Sequence, residues 1–213
     1  MATKKRGNPS EATACTIFDT AIGTCAVAWS DQGLTWVQLP EASRARLRGR
    51  LREHLGALHE RKPPAPIGRA IRLVKQHLGG KTADFGATKL DMSSVPPFAR
   101  RVYDALRQVE AGSTVSYGQL AAQIGSPGAA QAVGGAMARN PWPLVVPCHR
   151  VLAADGGLGG FSAHGGTATK ARLLAIEGVA VPPTLKGCAG PRARPVKREN
   201  RGLPLPPRSG RCP

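Results

Sequence analysis

The chain of 213 residues contains no run of 18 apolar residues, so no segment reads as a transmembrane helix. Its basic start, MATKKRGNP, lacks an apolar h-region, so no secretory signal is expected and the protein is assigned to the cytoplasm. Cysteines stand only at positions 15, 25, 148, 188 and 212. An odd number at irregular spacing is not a disulfide framework, and at least one free thiol follows. No CxxC…CxxC or HExxH zinc signature is present. Cys15 and Cys25 could join histidines in a structural zinc site, but the favoured reading is two small buried hydrophobes on neighbouring strands. Acidic residues are scarce, 13 against 30 Lys and Arg, for a formal net charge of +17. Such an excess favours a polyanionic partner. Lys186 to Pro213 carries eight of the basic residues against one Glu.

Residues 1–11 read as a disordered leader. From Thr13 to Leu39 alternating strand formers, broken at Ile22-Gly23 and at Asp31-Gln32-Gly33, read as a three-stranded antiparallel meander. Leu47, Leu51, Leu55 and Leu58 at helical spacing make 41–60 an amphipathic helix. A Pro-rich break leads to a second helix at 67–78, closed by Gly79-Gly80. A further strand is expected at 82–90. Ser93-Ser94-Val95-Pro96-Pro97 marks a boundary, and 98–110 is again helical. A short helix with Ser116 as N-cap, a Gly-Ser-Pro-Gly turn and the helix Ala129 to Arg139 make a helix-turn-helix pattern. That pattern alone fits an inert αα-corner as well as a nucleic-acid reader. The small residues Ala129, Ala130, Ala132, Gly134 and Gly135 point to close approach of another backbone, protein or nucleic acid. Leu144 to Val146 is expected to be a short buried strand ending at Pro147, 156–166 a Gly-rich loop and 167–177 a helix. Beyond Pro183 the Pro, Arg and Gly content reads as a disordered tail.

Cys148, followed by His149 and Arg150, lies where a rigid scaffold ends, in a basic neighbourhood that favours the thiolate. Neighbours on an extended strand point to opposite faces, so His149 serves Cys148 only if the backbone turns or a water bridges them. A histidine base needs an orienting carboxylate. Glu177 is the best candidate, and spacing alone leaves it equally readable as a solvated helix-end charge.

The segment Asn140 to Val151, NPWPLVVPCHRV, resembles the active-site signature of the O6-alkylguanine-DNA alkyltransferases, the methylated-DNA–protein-cysteine methyltransferases. The resemblance runs through Pro97-Phe98, Val115 to Ala121, Ala132 to Met137 and Leu173 to Gly178, about 85 residues, the family's C-terminal domain. The N-terminal region resembles the family's accessory domain in layout only. The resemblance implies an α+β chain: a ribonuclease-H-like domain at 12–92, a mostly helical, winged-helix-like domain with the helix-turn-helix at 93–185, and a basic tail at 186–213.

It also implies a repair protein that flips O6-alkylguanine, mainly O6-methylguanine, out of duplex DNA. The alkyl group passes irreversibly to Cys148, once per molecule. His149 then deprotonates Cys148 through a water, Glu177 holds His149, and Asn140 braces the turn before the cysteine. Tyr117 donates to N3 of the base, and Ser162 lies near O6. The carbonyls of Cys148 and Val151 accept from the exocyclic amine. Met137, Gly159, Gly160 and Phe161 wall the pocket. Ala129, Ala130, Gln131, Ala132, Gly134, Arg139 and Arg150 face the DNA. No cofactor is implied, the partner is double-stranded DNA containing O6-alkylguanine, no membrane is involved, and a monomer associated with the nucleoid when on DNA is expected.

Three departures stand out. Gln131 occupies the place of the family's usual arginine in the recognition helix, which predicts weaker flipping. Phe161 stands where tyrosine is frequent. Ala163-His164 lengthens the loop by about two residues. Three other readings compete: a lesion binder without transfer, against which Cys148 stands; a regulator sensing its own alkylation, which would need a further metal-binding module; and a cysteine hydrolase, which would need an oxyanion hole.

Overall fold

The computed structural model describes residues 14–180, and the expected leader and tail lie outside them. Three strands, β1 (Ala14–Thr20), β2 (Gly23–Ser30) and β3 (Gly33–Gln38), form the expected meander. Thr20 pairs with Gly23 and Ser30 with Gly33 at tight turns. Helix α1 covers Arg44–Leu55, with the Ser43 side chain capping Arg46 N–H, so it is shorter than the 41–60 expected. Gly56 ends it in a left-handed conformation, φ 76°, and the chain turns back as β4 (His59–Glu60). β4 pairs parallel with β1, giving a sheet of order β3-β2-β1-β4. No propensity signal marks so short an edge strand.

Helix α2 (Ala65–Leu78) buries Ile67, Ala70, Ile71, Val74, His77 and Leu78 along one face. The strand expected at 82–90 is not formed. That segment is irregular, and only Leu90 bridges to Leu34. Arg107 holds it instead, donating to the carbonyls of Phe85, Gly86 and Thr88.

Helix α3 (Pro97–Arg107), the two-residue strand β5 (Val115–Ser116), α4 (Tyr117–Gln123) and α5 (Ala130–Ala138) follow. The Ser116 hydroxyl accepts from Gln119 N–H while the Gln119 side chain accepts from Ser116 N–H, a reciprocal capping box. Gly125 and Gly128, at φ 67° and 87°, supply the left-handed residues of the connection between α4 and α5. Strand β6 (Val151–Leu152) pairs parallel with β5, and α6 (Gly166–Ile176) closes the described chain.

Apolar residues of both halves share one core: Val27, Leu34 and Val74 belong to the same cluster as Val102, Leu120 and Val146. The architecture is α+β, six helices with small sheets among the described residues. No helix among these residues is long and apolar enough to cross a membrane. Cys15 and Cys25 are both buried. Their partners in the ladder are Ala28 and Phe18, so they stand three positions apart and on opposite faces of the β1–β2 pair. They cannot join one metal site from there.

Candidate active site at Cys148

The expected strand at Leu144–Val146 is a turn instead. Leu144 takes φ 76°, the left-handed region that costs a branched residue energy, and three further interactions hold the segment in place. Val146 N–H donates to the Trp142 carbonyl at 2.8 Å. Asn140 Nδ2 donates to the Val146 carbonyl at 2.8 Å, and Asn140 Oδ1 accepts from Trp142 N–H at 3.0 Å. One amide side chain thus closes the loop from both ends. The same loop is tied to the N-terminal sheet: Trp142 Nε1 donates to Leu34 O, and Val37 N–H to Pro141 O, both at 2.8 Å.

Out of this loop Cys148–Arg150 form one turn of 3-10 helix, with Cys148 N–H on Val146 O and Arg150 N–H on Pro147 O. This is the backbone turn that adjacency of Cys148 and His149 demanded. The His149 imidazole is buried, and its Nε2 lies 2.9 Å from Glu177 Oε1. With an ionised carboxylate as partner, Nε2 carries the proton and Nδ1 is left as the basic nitrogen. Glu177, just past α6, is not a solvated end charge: its side chain is fully buried. Arg150, expected at the DNA surface, is directed inward. Its Nε donates to Glu177 Oε2 at 2.9 Å, its Nη2 to Oε1 at 2.7 Å, and its Nη1 to the Val109 carbonyl. A guanidinium fork matches a carboxylate geometrically, and a buried carboxylate demands such a partner.

Two residues of the site were missed from the sequence. Lys170 on α6 is fully buried, and its Nζ donates to the Val151 carbonyl at 2.5 Å and to the Leu158 carbonyl. His77 on α2 is 1% exposed, and its Nε2 lies 3.4 Å from Glu177 Oε1. Both sit on the apolar face of their helices, three or four residues from buried Leu173, Leu174 and Val74. A charged or polar residue in that register is the signal that could have found them.

Electrostatics divide the group into distinct roles. Burial pushes the Cys148 thiol up, against the lowering effects of the Asn140 amide and the Lys170 charge. The basic neighbour that the sequence suggested is present as Lys170, but burial outweighs its lowering effect. Burial lowers His149, while Glu177 opposes that shift. Burial would raise Glu177, but the hydrogen bonds and charges of His149 and Arg150 outweigh it and bring it to about 2. Burial lowers Lys170 to about 8 and His77 to about 4. His77, His149 and Glu177 offer ligand atoms within 4.8 Å of one another. The Arg150 guanidinium on the same carboxylate already supplies positive charge there, which disfavours a metal ion.

Cys148, 8% exposed, opens into a pocket of about 510 Å³ that it shares with Tyr117, Gly134, Met137, Gly160, Phe161 and Ser162. The β5–β6 pairing brings Tyr117 there, because Ser116 pairs with Leu152, close after the cysteine turn. A Cβ on Gly159, at φ 61°, would meet the Tyr117 hydroxyl at 3.3 Å, so glycine lets the loop approach that ring. Val151 is buried, and one lone pair of its carbonyl is occupied by Lys170. On α5, Gln131 and Ala132 are exposed, Ala129, Ala130 and Gly134 half-buried, and Val133, Ala136 and Met137 face the core. Arg139 lies over Gly135 at the helix end, where with Asn140, Ser162, Glu41 and Arg50 it borders a second, smaller opening beside Cys148.

A buried thiol that opens into a pocket, next in sequence to a buried histidine–carboxylate pair, defines a cysteine-centred site beside the α4–α5 helix pair. Comparison places it more closely. Residues 97–179 match the 6-O-methylguanine DNA methyltransferase, DNA binding domain family. The methylated-DNA–protein-cysteine methyltransferase of Methanothermobacter thermautotrophicus is 35% identical over 155 residues, covering 73% of this chain and 80% of its own. That of Mycobacterium leprae is 37% identical over 164 residues, covering 76% and 91%. Among solved structures, Mycobacterium tuberculosis OGT in complex with DNA aligns with TM-score 0.60 at 33% identity, over 78% of this chain and 93% of that one. The O6-methylguanine-DNA methyltransferase of Pyrococcus kodakaraensis aligns with TM-score 0.63 at 32% identity, over 78% and 99%. The chain belongs to the methylated-DNA–protein-cysteine methyltransferase family.

Proposed function

We propose that this protein repairs DNA by taking the alkyl group of O6-alkylguanine, chiefly O6-methylguanine, onto Cys148, once per molecule. The shared pocket of Cys148 and Tyr117, with the buried His149–Glu177 pair directly following the cysteine turn, carries this reading. The target atom lies inside a duplex, so the base is flipped into the pocket. His149 Nδ1 takes the thiol proton through a water, and Glu177 stabilises the imidazolium formed. Sγ attacks the alkyl carbon, the carbon–O6 bond breaks, and its electron pair passes to the guanine. Tyr117 gives that base a proton at N3, and Ser162 lies near O6. The product is a thioether, which no group of the pocket can cleave.

In the same reading, α5 enters the minor groove with Gln131 toward the flipped position, and the partner is double-stranded DNA met by a monomer. The assignment divides the chain at residue 92. The sheet order β3-β2-β1-β4 supports a ribonuclease-H-like domain before that point, and α4 and α5 beside the β5–β6 pair support a winged-helix-like domain after it. The stoichiometry is tested by titrating limiting protein with an O6-methylguanine duplex. Restored guanine should plateau at one equivalent, and continued turnover would contradict the reading.

A further inference from the structure

His77 is a costly residue. It is 1% exposed, and neither ring nitrogen makes a hydrogen bond of good geometry. Leaving buried polar atoms unpaired costs about 1–3 kcal/mol, so an aliphatic residue would serve a core position better. The ring packs edge-on to Phe85, with centroids 6.0 Å apart, and stands 6.2 Å from the His149 ring. Its nearest charged group is Glu177, whose Oε1 lies 3.4 Å from His77 Nε2. The same oxygen receives His149 Nε2 at 2.9 Å and Arg150 Nη2 at 2.7 Å. Three nitrogens from two separate elements therefore converge on one carboxylate oxygen. Two come from the turn after Cys148, and the third comes from α2, outside the 97–179 segment that matches the family's DNA-binding domain.

We infer that His77 is a positioning residue for alkyl transfer: its Nε2–H closes the remaining side of Glu177 Oε1 and holds that oxygen against His149. The inference rests on the proposed roles of His149 as base and Glu177 as its anchor. It makes the N-terminal half part of the catalytic apparatus, since α2 must be docked for Glu177 to be fully held. The charged and titratable groups facing His77 are Glu177, His149 and Arg150. A donor on Oε1 shares the carboxylate's charge and weakens its pull on the His149 proton. Removing it leaves His149 more readily protonated, so the acid limb of the rate profile moves to higher pH.

The test compares His77→Phe, which keeps the ring and the packing on Phe85, with His77→Gln, which returns an N–H near the Nε2 position. The readouts are the rate of methyl transfer from an O6-methylguanine duplex against pH, the melting temperature and the affinity for DNA. His77→Phe should slow transfer by roughly tenfold, the equivalent of one hydrogen bond to a charged group, and shift the acid limb upward. Melting temperature and DNA affinity should stay near the parent's. His77→Gln should recover most of the rate and the profile. If His77→Phe does not fold, His77→Leu, equally without a donor, takes its place. A parental rate and profile in the donor-less variant overturns the inference, as does a loss that Gln fails to rescue. His149→Gln separates this from the underlying reading: if that variant transfers at the parental rate, the base assignment itself fails.

Discussion

Arg150 grips Glu177 as a fork, Nε to Oε2 at 2.9 Å and Nη2 to Oε1 at 2.7 Å, so the residue two places after Cys148 anchors the carboxylate that meets His149. The pair is buried, and its worth depends on both members being present. Arg150→Met should destabilise the fold by about 3–5 kcal/mol, because it leaves a buried carboxylate uncompensated. Chemical denaturation of the variant against the parent measures this. A loss below about 1 kcal/mol would mean that Glu177 finds another partner.

The same pair sets an acid limit. Glu177 is held near 2, below the roughly 4.3 of a free glutamate, so the unfolded chain binds its proton first as pH falls. The stabilisation is complete above about pH 5 and disappears as pH falls toward 2, with about 3 kcal/mol as its order of magnitude. Unfolding free energy measured across that range should drop in the parent, and the drop should be smaller in Glu177→Gln. Equal slopes would show that other carboxylates govern acid stability.

Lys170→Met is the test of the second missed residue. It strands the carbonyls of Val151 and Leu158 and removes the charge that lowers the Cys148 thiol. We expect a stability loss of about 1–3 kcal/mol and a thiol that titrates at higher pH, followed by thiol alkylation with a small haloacetamide across pH. An unchanged titration would remove Lys170 from the electrostatics of Cys148.

Asn140→Ala opens the loop that presents Cys148, since one amide makes both of its closing bonds. Misplacement of a reacting atom by about 1 Å costs on the order of 10²-fold in rate, and a loss of that order in methyl transfer is expected. A variant that folds and transfers at the parental rate would leave Asn140 with no role in positioning the thiol.

Helices α3 to α6 and the meander were legible because apolar spacing and caps are local signals. Ser116, with Gln119 three residues later, announces α4 before any tertiary contact is known. The turn at Leu144 was not legible. Leu-Val-Val is a strand signal by propensity, and long-range bonds from Trp142 and Val37 override it. The pairing of His149 with Glu177 beside Cys148 was legible through the resemblance, but the inward turn of Arg150 was hidden, because an arginine beside a cysteine in a basic chain reads equally well as a phosphate contact. His77 contacts Glu177 across 100 residues, and only the fold brings them together.

Gln131 is exposed on α5, where the resemblance sets an arginine. If Gln131 limits base flipping through its lack of charge and reach, Gln131→Arg should raise the repair rate on a methylated duplex and tighten DNA binding. Single-turnover kinetics of the variant and the parent decide this, and no gain removes Gln131 as the limiting residue.

The central claim, that Cys148 is the acceptor, is tested most directly by mass spectrometry of the tryptic peptide Asn140–Arg150 after incubation with an O6-methylguanine duplex. The account predicts one added methylene mass on that peptide, one per protein molecule, and none in Cys148→Ala. An unmodified peptide, with guanine restored or with lesion bound but unrepaired, would contradict it.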